Sequence, residues 1–198
     1  MAQMKNSTRM RQVRLVVAAA AISAALGVFA PATGTASAGI QLQAVQAQPM
    51  IPTRIVIEKI SVDAVIEPVG PSNKLIGKGA VEWAAPKNRN VGWHDYSGRF
   101  GEGANIVLNG HNNIYGGVFR KLYTLQEGDQ IRVSAGDVER VYAVVEVRRV
   151  LERGQPIAVR MKNAEPIQPM KDDRLTIVSC WPETGNSHRI IVIARPLS

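Results

Sequence analysis

Cys180 is the only cysteine in the chain, and it ends the apolar run Leu175-Thr176-Ile177-Val178-Ser179, with Pro182 and Gly185 just beyond it. A run of that composition reads as a strand and the proline and glycine after it as a loop, so the thiol sits where functional sites are commonly built. One cysteine excludes an internal disulfide and any multi-cysteine zinc cage. A lone cysteine is ordinarily a small, inert core residue. A catalytic one needs a base or a cationic neighbour, because the thiolate is the nucleophile and a free thiol titrates at about 8.5.

Three histidines are available as that base. His111 lies in Asn109-Gly110-His111-Asn112-Asn113, directly after the apolar run Ile106-Val107-Leu108, and this second strand exit makes it the favoured partner. His188 adjoins Arg189 at the start of a strand, where neighbouring side chains point to opposite faces, so only one of the two can face Cys180. His94, within Gly92-Trp93-His94-Asp95-Tyr96, reads as a polar-loop residue, at the surface or holding a hydrogen bond. Acyl transfer also needs a group that steadies a developing oxyanion or holds the substrate carbonyl. Arg189 opens the strand that follows the Cys180 loop, and a hairpin return brings its guanidinium alongside the thiol. Taken alone it reads as a solvated surface charge.

Strands must position these groups. From Thr53 onward short β-branched runs recur: 54–57, 62–66, 104–108, 131–133, 141–147, 174–178 and 189–193, punctuated by Gly, Pro, Asn and Asp. Such spacing predicts a mainly β domain, an antiparallel barrel or sandwich of seven or eight strands. Helical pattern is confined to short pieces. Val118, Leu122 and Leu125 can share one helical face, and residues 157–170 hold a second turn before Pro166 and Pro169 interrupt it. No internal repeat and no glycine-rich phosphate loop ahead of a long helix is present, which excludes a nucleotide-binding α/β pattern.

The N-terminus reads as an address. Residues 1–38 carry Lys5, Arg9, Arg11 and Arg14, no acid, and an apolar run from Leu15 to Ala30, followed by Ala36-Ser37-Ala38. Sixteen apolar residues suit the hydrophobic region of an export signal and are slightly short for a bilayer span. Residues 1–38 are therefore a signal peptide, cleaved after Ala38, or an uncleaved membrane anchor. In either case the positive-inside bias puts the rest of the chain outside the cell. An unpaired thiol kept in an oxidising compartment suggests that its chemistry is wanted. Residues 39–51 lack charge and offer little to bury, as in a linker, and the folded domain spans 52–198.

The chain's formal charge of +8 is concentrated in that address; without its four basic residues, 20 basic side chains stand against 16 acidic ones. The remaining excess forms no basic run, so nucleic acid is not an expected partner. A composition of 45% hydrophobic and 20% charged residues is that of a globular protein and excludes wholesale disorder.

Thr176-Ile177-Val178-Ser179-Cys180, with Arg189 nine positions later and a Gly-His pair ending 69 residues before the cysteine, resembles the sortases, the cysteine transpeptidases of Gram-positive-type cell envelopes. The family's cysteine motif is usually Thr-Leu-x-Thr-Cys, so Ile177 and Ser179 are conservative departures. The likeness spans residues 52–198, and residues 181–195 look more like the class D or related D/E/F types than class A. It implies a single eight-stranded β-barrel with short helices and a strand-end groove. There a C-terminal sorting motif of the Leu-Pro-x-Thr-Gly kind would be cleaved after Thr by thiol-peptidase chemistry. Cys180 would be the nucleophile, His111 the general acid and base, and Arg189 the stabiliser of the substrate carbonyl. Ile157, Val159, Met161, Ile167, Thr176 and Val178 would line the groove.

The implied partners are the sorting-signal peptides of exported proteins and an amine acceptor from a peptidoglycan precursor or a pilin, with the membrane as a third if the N-terminal segment is retained. The implied place is the extracellular face of the membrane or the cell wall. No cofactor is expected. Asp172 and Asp173 form an acidic pair near the expected groove, but two adjacent carboxylates lack the oxygen ligands that calcium requires.

Two other readings compete. L,D-transpeptidase-like wall enzymes also place a histidine first, yet their cysteine lies in a Ser-x-Gly-Cys element, whereas Val178-Ser179 precede Cys180 here. A secreted, non-catalytic β-barrel binding module would need Cys180 to be an inert core residue.

Overall fold

The computed structural model describes residues 50–77 and 80–197. The address segment 1–38 and most of the expected linker lie outside the described residues. Among the described residues no helix is long and apolar enough to cross a membrane.

Ten strands follow one another: β1 (Arg54–Ile57), β2 (Val62–Val69), β3 (Pro71–Gly77), β4 (Ala80–Trp83), β5 (Val91–His94), β6 (Asn105–Asn109), β7 (Gln130–Ala135), β8 (Val138–Leu151), β9 (Arg174–Trp181) and β10 (His188–Pro196). Eight of them close a barrel in the order β1-β2-β5-β6-β9-β10-β8-β7, while β3 and β4 form a separate hairpin. The expected eight-stranded, mainly β architecture is therefore the observed one. Alternation explains why these segments are strands. Ile55 and Ile57, then Val62, Ala64 and Ile66, then Ile131, Val133 and Ala135 all point into the core, with polar or exposed residues between them.

The expectation of a wholly antiparallel barrel is corrected. β2 pairs with β5 and β6 with β9 in parallel, and the other barrel pairs are antiparallel. Strands covered on both faces show continuous apolar runs in place of alternation. All five residues of β6 are buried accordingly, Ile106 and Leu108 in the barrel core and the others beneath outer structure.

Two outer pieces supply that cover. The β8–β9 connection carries α1 (Ile157–Asn163) and a 3-10 turn at Glu165–Ile167. Asn105 at the start of β6 binds it: Nδ2 donates to the Pro166 carbonyl at 2.9 Å and the Gln168 carbonyl at 3.1 Å, and Oδ1 accepts from Thr176 Oγ1 at 2.8 Å. Tyr96 Oη adds a bond to the Ile167 carbonyl at 2.6 Å. The second piece is the β3–β4 hairpin with the segment after it, held where Asn109 Nδ2 donates to the Ala84 carbonyl at 2.7 Å. The 118–125 stretch buries Val118, Leu122 and Leu125 on one face as expected, although only Leu122–Thr124 forms a 3-10 turn.

Met50, assigned to the linker by composition, forms an antiparallel bridge with Phe100 and packs on the core. The described residues thus include two of the expected linker, Met50 and Ile51.

Candidate active site

The topology brings three strand ends together. β6 and β9 run in parallel, so both finish at the same end of the barrel; β10 runs antiparallel to β9 and begins there. In that register Arg189 is the direct cross-strand partner of Cys180. Leu175 and Ile177 face the core, so Val178 and Cys180 face outward, and Arg189 and Ile191 share that outer face with them. On the other side Asn109 pairs with Val178, which puts His111, two residues on, level with Cys180. Ser179 Oγ fixes that alignment by donating to the Gly110 carbonyl at 2.8 Å.

Gly110 explains why a glycine precedes this histidine. A Cβ there would lie 2.7 Å from both the Phe119 ring and a Val118 methyl, so only a bare backbone lets the chain leave β6 against that cluster. The His111 carbonyl then accepts from the Phe119 amide at 2.9 Å. Its imidazole is half-buried, which pushes its pKa down, while a hydrogen bond to the Pro86 carbonyl opposes the shift.

The Cys180 thiol is partly exposed. Arg189 donates to the His188 carbonyl at 3.2 Å and, at 3.5 Å, to that of Asn186. Among the described residues no carboxylate pairs with its guanidinium, so its charge remains available to an anionic oxygen. On the opposite face of β9 from the thiol, the Trp181 indole lies under the Arg149 guanidinium, 3.8 Å from the ring centroid.

Cys180, His111 and Arg189 line one cavity of about 620 Å³. Its floor is the outer face of β9, β10 and β8, with Val178, Ile191 and Val150. Ile157, Met161 and Ile167 form one wall, and Trp83 belongs to the opposite one. Along the same wall Arg160 Nε and Asn163 Nδ2, which also line the cavity, both bind the Glu152 carboxylate, at 3.0 and 2.8 Å, anchoring α1 to the end of β8.

Four of the six groove residues expected from sequence, Ile157, Met161, Ile167 and Val178, line this cavity, and two do not. Thr176 is fully buried against Asn105, and Val159 points to solvent from the far side of α1. His188 lies opposite Trp181, with its Nδ1 2.9 Å from Ser187 Oγ. Asp172 and Asp173 stand at the start of β9, eight and seven residues before Cys180 and far from the groove. Arg174 and Arg195 pair with Asp172 at 3.2 and 2.9 Å, and Arg140 pairs with Asp173 at 2.8 Å. Among the described residues no His, Cys, Asp and Glu cluster is arranged to hold a metal.

The polar-loop reading of His94 is also corrected. It ends β5, is 1% exposed, and lines the cavity. Trp83 stacks on its ring at a centroid distance of 4.5 Å and on Tyr96 at 4.3 Å. Burial lowers its pKa to about 4 and raises that of Tyr96 to about 12. Sequence reasoning missed it because its cover comes from a hairpin distant in the chain; the cluster Trp83, Trp93 and Tyr96 around it was the available signal.

Residues 55–197 match the Sortase domain family. Among solved structures, sortase A from Corynebacterium diphtheriae (a lid mutant) is similar with a TM-score of 0.56 at 20% identity, over 80% of this chain and 76% of that one. Sortase C-1 from Actinomyces oris gives 0.55 at 22% identity, over 77% and 76%. A Clostridium perfringens sortase D5 transpeptidase gives 0.53 at 25% identity, over 75% and 79%. No curated protein sequence matches. With the family covering nearly all of the barrel, this chain belongs to the sortases, and its activity is that of a cysteine transpeptidase.

Proposed function

We propose that this transpeptidase cleaves a Leu-Pro-x-Thr-Gly-like sorting motif after Thr and transfers the carrier protein to an amine of the cell envelope. The observation that carries the reading is the convergence of Cys180, Arg189 and His111 at one barrel end, on one cavity. In the first step the acceptor nitrogen of His111 takes the thiol proton, and Cys180 Sγ attacks the Thr carbonyl carbon. The C–S bond forms, the carbonyl oxygen becomes an oxyanion beside Arg189, and the C–N bond to Gly breaks as the imidazolium protonates the departing amine. In the second step the acceptor amine attacks the thioester carbon, gives its proton to His111, and the C–S bond breaks, restoring the thiol.

Ile157, Met161, Ile167 and Val178 suit the apolar side chains of such a motif. Residues 1–38 act as signal or anchor and 39–51 as linker, so that the domain works outside the cell on exported proteins, with a peptidoglycan precursor or pilin as the acceptor's source. The sequence from Trp181 to Arg195 favours a class D/E/F-type enzyme.

The test is to incubate the purified chain with a library of sorting-motif peptides and an amine and to weigh the products. Cleavage after Thr with amine capture is expected. A thioester adduct on Cys180, released by hydroxylamine, should accumulate when the amine is withheld. Cleavage without an adduct would overturn the two-step route.

A further inference from the structure

His94 is a polar group with no polar partner. Neither Nδ1 nor Nε2 has a hydrogen bond, and both are sealed from solvent. An unpaired buried polar group costs free energy, and a folded protein normally satisfies it. The aromatic rings against it are those of Trp83 and Tyr96, and the Tyr96 hydroxyl is already committed to the Ile167 carbonyl. The ring nonetheless borders the cavity that holds Cys180. Burial also keeps it neutral at ordinary pH, and a neutral imidazole offers one donor and one acceptor. That is the complement of a peptide group.

Register places the contact. β5 pairs with β6 so that Trp93 faces Leu108, which sets His94 beside Val107, and Val107 pairs with Thr176 on β9. His94 is thus two strands across from Cys180 and four residues further down the sheet. At usual strand spacing and rise this separation is on the order of 16 Å, the length of roughly four to five residues of extended peptide. A motif whose Thr carbonyl meets Cys180 therefore has its first residue near His94.

We infer that His94 is a substrate-binding residue: its imidazole hydrogen-bonds the main chain of the sorting peptide at the N-terminal end of the motif, beneath the edge of Trp83. The inference rests on the sorting-peptide reading above and adds the residue that anchors the main chain at the motif's first position.

The experiment pairs His94→Phe, which keeps the stack and removes both nitrogens, with a peptide whose amide at the first motif residue is replaced by an ester. The wild-type enzyme on the all-amide peptide is the reference. His94→Phe should raise KM about five-fold with kcat nearly unchanged, the usual worth of one hydrogen bond. The ester should cost the wild type a similar factor and cost His94→Phe nothing further, while an ester two residues nearer the Thr affects both enzymes alike. His94→Asn, which keeps a donor and an acceptor, should recover part of the loss. On adding the peptide to Cys180→Ala, the His94 ring nitrogens should shift by 15N NMR, a readout independent of turnover. Equal ester penalties in both enzymes, or unmoved His94 nitrogens in Cys180→Ala saturated with a peptide that the wild type does process, overturn the inference and leave the sorting-peptide reading standing. Failure of the wild type to cleave any such peptide overturns both.

Discussion

At the scale of single residues the proposed reaction assigns roles to three side chains whose removal should differ in kind. Cys180→Ala removes the nucleophile and should abolish both cleavage and transfer. His111→Ala should lower kcat by about 10²- to 10⁴-fold, the usual worth of a positioned acid–base group. Arg189→Ala should cost about 10²- to 10³-fold, as loss of an oxyanion donor does, and Arg189→Lys should restore only part, because a point charge does not reproduce a guanidinium fork. Peptide turnover, with circular dichroism to confirm folding, checks all four. Near-normal turnover in His111→Ala would transfer the role to another base. His111 must be neutral to take the thiol proton, and burial holds its pKa below the usual value. The acid limb of kcat/KM should consequently have its midpoint below pH 6.5. That these three side chains meet on one cavity was legible in the sequence, because each stands at a strand end with a glycine or proline close by. His94 was not, since its burial is imposed by Trp83 on β4 and no local pattern announces that contact.

At the scale of elements, the groove wall is a short helix and a 3-10 turn with little intrinsic stability, for a seven-residue helix is too short to persist alone. It holds because Asn105 ties its end to β6. Asn105→Ala removes two bonds to the wall and leaves the buried Thr176 hydroxyl without its acceptor. The expected cost is about 2–3 kcal/mol in urea unfolding, with KM rising more than kcat falls. Thr176→Val keeps the shape and loses one bond, so about 1 kcal/mol and an unchanged KM are expected. An unchanged KM in Asn105→Ala, despite lost stability, would mean that the wall does not touch substrate. The strands themselves were readable from β-branched runs, but their direction was not: periodicity reports which faces are buried and says nothing about parallel or antiparallel pairing. For the same reason Thr176 reads as a groove residue by sequence, although Asn105, 71 positions earlier, holds it in the interior.

At the scale of the whole molecule, two backbone bonds tie Met50 to the barrel, its N–H to the Phe100 carbonyl at 3.1 Å and the reverse at 2.8 Å. A chain beginning at Pro52 should melt several degrees below one beginning at Gln48, since the loss of about 1–2 kcal/mol lowers the Tm of a domain this size by a few degrees. Calorimetry on the two chains decides it, and equal melting temperatures would reduce the bridge to a passive contact. Composition could not reveal this tie, because Met50 is held by a partner 50 positions away.

The barrel's stability should also carry the imprint of His94. Its native pKa is about 4, against about 6.5 when unfolded. Above pH 6.5 both states hold it neutral and it exerts no pull. As pH falls from 6.5 toward 4 the unfolded chain takes up a proton that the native barrel refuses, so stability declines, by about 2 kcal/mol between pH 7 and pH 5. His111 adds to this slope with the same sign, its pKa also being lowered by burial. The exposed carboxylates with lowered pKa values, Asp63 and Glu146, start from 3.8 and 4.5 and so titrate mainly below that window. Urea unfolding of the wild type, His94→Phe and His111→Ala at pH 7 and pH 5 separates the contributions. His94→Phe should flatten most of the decline and His111→Ala a smaller part. An equal decline in the wild type and His94→Phe would show that the folded barrel lets the His94 ring take its proton as readily as the unfolded chain does.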